Sequence, residues 1–162
     1  EQPFDGRRRV GADQAVHLRS VAEEHQRGDA GDAVPPPGLL RLVDPPPLSH
    51  ALVATGFSYD PARRHRQGLV VAELLPRVRD IRRMGAAALD LCSVAAGRVD
   101  VYFEVGLSPW DIAAGSLVAE EAGARVAAID GGPLGTGSVL AAHPALFDEV
   151  IGLLDELGAA SV

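Results

Sequence analysis

From Leu48 onwards, short apolar runs alternate with amphipathic stretches about three helical turns long, and this alternation restricts the chain to few architectures. Strands that alternate with helices of roughly 10–15 residues place those helices over the faces of one sheet, an α/β layered structure. The pattern predicts strands over residues 51–55, 80–84, 99–103, 125–129 and 138–142. It predicts helices over 61–75, from Gly85 with Ala88, Leu91, Cys92 and Ala95 on one stripe, and over 110–122 with Ala113, Ala114, Leu117 and Val118 inward. A last helix starts with Pro144 at its first position and buries Phe147, Val150, Ile151 and Leu154. Asp130-Gly131-Gly132-Pro133 reads as a turn. No internal repeat is present.

Upstream of Leu48 the character changes. Arg7-Arg8-Arg9 is a charge run, residues 11–34 are mostly polar or small, and two proline triplets follow at 35–37 and 45–47. Proline runs favour extended polyproline II and end any helix before them. Residues 1–38 therefore read as an arm or loosely docked helix, and 39–47 as a linker. Together they form one lead, 1–47, ahead of a domain at 48–162. The 162 residues suit one domain, and 47% apolar content excludes general disorder.

Fifteen basic against 22 acidic residues give a net charge of −7, which argues against a nucleic-acid binder and a polybasic membrane anchor. All the basic residues are arginine, a compositional bias unrelated to function. Cys92 is the sole cysteine, so an intrachain disulfide and a Cys-rich zinc site are excluded. No apolar run reaches the ~18 residues of a membrane span, and the first residues hold no apolar signal core. The expectation is a cytoplasmic protein. The absence of an initiator Met points to a processed or partial chain.

Several residues are candidates for chemistry. Ser108-Pro109-Trp110-Asp111 precedes a helix and reads as a capping box, with Asp111 reaching back to the Ser108 amide. The same carboxylate also suits a hard cation such as Mg²⁺, which prefers oxygen ligands. Glu104, expected at a strand end beside Gly106, is placed either to accept bonds from substrate hydroxyls or to be a solvated loop acid. Gly85-Ala86-Ala87-Ala88 opens a helix whose free amides can meet anions or hydroxyls, although glycine there also serves a plain turn. Cys92 falls on the apolar stripe and reads as core. The histidines show no zinc-hydrolase spacing, and the segment 131–137 lacks the Lys-Ser/Thr of a P-loop and reads as a hairpin turn.

Residues 110–123, Trp110-Asp111-Ile112-Ala113-Ala114-Gly115-Ser116-Leu117 through Glu121-Ala122-Gly123, resemble the C-terminal signature of the inositol monophosphatase family, roughly W-D-x-A-A-G-x-L-I/V-x-E-A-G-G. Ala124 stands where the last glycine falls. Residues 81–92 resemble the family segment I-R-x-x-G-S/T-A-A-x-N/D-x-C, and 97–104 its G-x-x-D-x-Y-x-E strand. Residues 48–57 and 139–144 also fit, so the resemblance spans about 48–157, the family's C-terminal half. It implies the C-terminal half of an αβαβα layered sandwich of the inositol monophosphatase-like sugar phosphatases. It also implies a Mg²⁺-dependent, lithium-sensitive phosphomonoesterase in which metal-activated water attacks phosphorus. By carry-over, Asp111 is a metal ligand, Glu104 bonds substrate hydroxyls, and the backbone around Ala87 touches the substrate ring. The family pattern further implies a homodimer.

The family's N-terminal motifs, a G-E/D-E segment and D-P-I/L/V-D-G-T, do not stand in this sequence. Gln2-Pro3-Phe4-Asp5-Gly6-Arg7 only echoes the second, and Asp5 is a weak ligand candidate. A truncated or rearranged gene product is one expectation from that break. Two functions therefore compete: hydrolysis of inositol monophosphate or a related small phosphomonoester, or an inactive half-domain that acts only in subunit association. Loss of half a layered core is expected to expose apolar sheet surface.

Overall fold

The computed structural model describes residues 40–135 and 137–162. The arm expected over 1–38 and the candidate Asp5 lie outside the described residues. Among the described residues five strands form one mixed sheet: β1 (Leu52–Thr55), β2 (Asp80–Arg82), β3 (Val101–Val105), β4 (Arg125–Ala127) and β5 (Ser138–Ala142). Four α-helices accompany them there: α1 (Pro61–Leu74), α2 (Ala87–Ala95), α3 (Pro109–Glu121) and α4 (Pro144–Glu156). The spatial order is β2-β1-β3-β5-β4, with β1 parallel to β2 and β3, and β5 antiparallel to β3 and β4. This is the α/β layering expected from the alternation.

The two-residue period of each strand divides the core between the faces of the sheet. Val53, Val101, Phe103, Leu140 and Ala142 join Val70 and Leu74 of α1 and Phe147, Val150 and Leu154 of α4 in one cluster. Ala54, Tyr102, Val139 and Ala141 join Leu91 and Val94 of α2 and Ile112 and Ala119 of α3 in the other. Each face is therefore covered by a helix pair. Among the described residues the expected exposure of apolar sheet surface is not found on the central strands β1, β3 and β5, because helices already cover both of their faces. Among the described residues no helix is long and apolar enough to cross a membrane.

Three local details differ from the sequence pattern. The helix expected to open at Gly85 starts at Ala87, since Gly85 has φ 96° and cannot lie in a right-handed helix. The third strand runs two residues later than expected, so Glu104 lies inside β3 and not beyond its end. In α3 the buried residues are Ile112, Gly115, Ser116 and Ala119, whereas Ala113, Ala114 and Leu117 are exposed. The cause is close packing of α2 on α3. A Cβ at Gly115 would come within 2.8 Å of Leu91 Cβ and 3.0 Å of the Ala88 carbonyl, so this face must be built from small side chains. Cys92 is half-buried, and burial raises its thiol pKa, which suits a packing residue and not a thiolate nucleophile.

Leu42, within the segment expected as a linker, donates its amide to the Ala122 carbonyl at 3.0 Å and packs on the α2–α3 cluster. Asp100, a residue of the family-like strand motif, has a structural task. Its Oδ2 accepts the Leu52 amide at 2.7 Å while its own amide donates to Leu52 O, which ties the starts of β1 and β3 together.

Candidate functional site

The carboxyl ends of the parallel strands β1, β2 and β3 each feed a loop that leads into a helix N-terminus, and an open cleft of about 480 Å³ lies among these loops. In open α/β sheets ligands bind at this position, outside the strand ends. The loop after β1 supplies Phe57, Ser58 and Tyr59, the loop after β2 supplies Arg83 and 85–88, and β3 with its loop supplies Glu104, 105–107 and then Trp110 and Asp111. Ala87, Glu104 and Asp111, singled out separately in the sequence, thus line one cleft.

The three helix starts are finished differently. At α1, Asp60 Oδ1 accepts the Arg63 amide at 2.7 Å. At α3, Asp111 Oδ2 accepts the Ser108 amide at 2.9 Å. At α2 the N-cap is Ala86, which makes no side-chain cap bond, and Ala86, Ala87 and Ala88 at this helix start line the cleft. That contrast supports the backbone around Ala87 as a donor to a bound hydroxyl or anion. The loop walls are held by specific bonds: Ser58 donates its amide to the buried Gln67 Oε1 at 2.8 Å, and Gly106 and Leu107 donate theirs to Gly137 O at 2.6 and 3.0 Å.

Glu104 is half-buried within β3. Its side chain lies on the same sheet face as Tyr102, two residues earlier, and the buried Tyr102 hydroxyl donates to Glu104 Oε2 at 2.7 Å. Burial and the Glu104 carboxylate both push the Tyr102 phenol pKa upward, so it remains a donor at any working pH. Across the β1–β3 pairing, Gly56 leaves the space that the Glu104 carboxylate fills; a Cβ there would overlap it. The i, i+2 spacing of Tyr102 and Glu104 was visible in the sequence, but the partner role of Tyr102 was not read from it. Gly56, Arg83 and the buried Asp90 were also missed, because their proximity depends on how β1, β3 and α2 meet.

The chemistry of the donor set is clear at Asp111. One of its two oxygens caps α3, which leaves Oδ1 for a ligand. Among the described residues no group of three or more His, Cys, Asp or Glu side chains is arranged to hold a metal ion. A hard dication takes six or more oxygens, several of them from protein or substrate. The described residues therefore fit one corner of such a site and not a whole one.

A three-layer α/β unit with a polar cleft at the strand ends defines a class of small-molecule enzymes and binding domains. The chain belongs, more particularly, to the inositol monophosphatase family, which it matches over residues 23–159. That match begins ahead of Leu48, where the motif resemblance starts. The chain is 49% identical over 117 residues to inositol-1-monophosphatase SuhB of Mycobacterium tuberculosis, covering 72% of this chain and 40% of that protein. It is 44% identical over 115 residues to Nus factor SuhB of Pasteurella multocida, covering 69% and 43%. The solved structure of Mycobacterium tuberculosis SuhB superposes with a TM-score of 0.66 at 47% identity, covering 74% of this chain and 47% of that one. The inositol monophosphatase of Anabaena gives 0.66 at 39% identity, covering 72% and 48%. The chain thus spans about 40% of the length of the curated relatives it matches.

Proposed function

We propose that this chain supplies the hydroxyl-binding side and one metal-ligand carboxylate of a Mg²⁺-dependent phosphatase acting on inositol monophosphate or a related small phosphomonoester. The observation that carries this reading is the convergence of the uncapped α2 amides, Glu104 and Asp111 in one cleft of a chain from this family. In this reading Glu104 accepts hydrogen bonds from ring hydroxyls, held in place by Tyr102 and Gly56. The amide of Ala87 donates to an oxygen of the same ring. Asp111 keeps the α3 start ordered with Oδ2 and offers Oδ1 to the cation, and the remaining oxygen ligands come from outside the described residues. Residues 48–162 are then the phosphatase-family domain, 1–47 its lead, and the molecule works in the cytoplasm as a homodimer.

The test is release of inorganic phosphate from inositol 1-phosphate by the full chain, with and without Mg²⁺. Asp111→Ala is expected to abolish a Mg²⁺-dependent activity, and absence of Mg²⁺ binding by calorimetry would sink the reading for this chain.

A second reading is favoured by a specific observation, the lack of a metal-holding cluster among the described residues. In that reading the chain is an inactive half-domain that associates with a partner subunit. It predicts neither Mg²⁺ binding nor turnover, together with a chain that sediments as a complex.

A further inference from the structure

The first two turns of α1 hold the loops of the cleft through side chains that line no part of it. Arg64 Nη1 donates to the carbonyls of Ser58 and Tyr59 at 3.2 and 3.1 Å, and Gln67 accepts the Ser58 amide, so the loop after β1 is tied to α1. Arg63, half-buried in the same helix, joins two segments that are distant from α1 in sequence. Its Nε and Nη2 both donate to Val162 O, at 3.2 and 3.1 Å, next to the short 3₁₀ helix Ala159–Ser161. The same guanidinium also lies against Gly106. Its Nη1, Cζ and Nη2 are 2.9, 3.2 and 3.5 Å from the point a Cβ on Gly106 would occupy.

Gly106 stands in the turn between Glu104, in β3, and Asp111, at the start of α3. It holds φ at 99°, and glycine gives up more conformational freedom than any other residue when it is fixed. The amides of Gly106 and Leu107 share a single acceptor, Gly137 O. The turn is therefore held by one carbonyl on one side, and Arg63 takes the space a side chain at 106 would fill. The neighbouring Val105 and Phe57 line both the cleft and a hollow of about 10 Å³, whose other walls include Val70 and Val71 of α1 together with Ala159 and Val162. A space of that size admits at most about one water, so the cleft wall, α1 and the 159–162 segment are in close packing.

We propose that Arg63 is a positioning residue for the cleft: by holding Val162 O with one edge of its guanidinium and Gly106 with the other, it fixes the turn that sets the spacing of Glu104 and Asp111. The planar fork suits this task, because two donors converge on one oxygen while the opposite edge packs, whereas an ammonium offers a single point. A displacement of about 1 Å at reacting groups can cost on the order of 10²-fold in rate. The consequence for substrate rests on the phosphatase reading above; the brace itself does not.

Two measurements on the 162-residue chain test this. In the first, amide hydrogen exchange is followed by NMR in the wild type, in Arg63→Ala, in a chain lacking Val162 and in the two changes combined. Exchange at Gly106 and Leu107 is expected to quicken by roughly tenfold in each variant while Tyr102 and Phe103 of β3 stay unchanged, and the combination is expected to add nothing to either change alone. No change at Gly106, an equal acceleration at Phe103, or additive effects of the two changes would overturn the proposal. In the second, hydrolysis of inositol 1-phosphate is measured for the wild type, Arg63→Ala and Arg63→Lys, with Arg77→Ala as the control for loss of an exposed arginine. Arg63→Ala is expected to raise KM and the Mg²⁺ concentration for half-maximal rate, each by roughly tenfold, Arg63→Lys to recover part of the loss, and Arg77→Ala to match the wild type. A fall in kcat at unchanged KM, the signature of a smaller folded fraction, would refute the positioning role. If the wild type hydrolyses nothing, the phosphatase reading fails, and hydrogen exchange still decides whether the brace exists.

Discussion

Gly56 and Glu104 face each other across β1 and β3, and a single methyl group decides their relation. Gly56→Ala would thrust a Cβ into the Glu104 carboxylate, which must then leave the Tyr102 hydroxyl. The expected result is a stability loss of about 1–3 kcal/mol by chemical denaturation, as for other overpacked sites. Asp90 gives a prediction in pH. Its pKa is raised from 3.8 to about 6 in the folded chain, so the folded state binds more protons than the unfolded state between those values. Stability from this group is therefore complete below about pH 4, falls as pH rises toward 6 and stays lost above it, by on the order of 3 kcal/mol. Asp90→Asn is expected to match the wild type near pH 4 and exceed it at pH 7 in thermal melts at both pH values. A difference independent of pH would contradict the burial argument. Neither residue was legible as functional in the sequence. Glycine at a strand end and aspartate in a helix are ordinary until a neighbouring strand closes on them.

At the scale of elements, α3 shows why periodicity misplaced a face. The segment is rich in Ala and Gly, and its stripes at Ala113–Leu117 and Ile112–Ala119 differ little in apolar character. Close approach to α2 selected the stripe with the smaller side chains, which only the partner helix could specify. Gly115→Val is therefore expected to cost about 1–3 kcal/mol through collision with Leu91 and the Ala88 carbonyl. Gly68 of α1 is the control: it is exposed, nothing lies within 4 Å of the point a Cβ would occupy, and Gly68→Ala should stabilise by roughly 0.5–1 kcal/mol. Urea denaturation of both variants separates packing from propensity. The termini of these helices were far more legible. Asp60, Ser108 and His143 precede Pro61, Pro109 and Pro144, and in each case the helix starts at the proline.

At the scale of the whole unit, the same strands serve both core clusters, since Val53 and Ala54, Phe103 and Tyr102, and Leu140 and Val139 point to opposite faces. Neither helix pair can lose its support without the other, so residues 40–162 are expected to unfold in one cooperative transition. Phe147→Ala on one face and Leu91→Ala on the other, both 0% exposed in the wild type, should each lower that single transition, by about 3–5 and 2–5 kcal/mol. A second transition in calorimetry, confined to one variant, would show the faces to be independent. The sequence by itself determined the succession of strands and helices, the proline-marked helix starts and the identity of Ala87, Glu104 and Asp111 as candidates, because backbone propensity, capping and local motifs act over a few residues. Only the tertiary structure decided that the sheet is covered on both faces, that α3 buries its small-residue stripe, and that Tyr102 and Gly56 flank Glu104. Those outcomes depend on contacts between segments tens of residues apart, where volume and charge are settled by whichever neighbour the fold brings near.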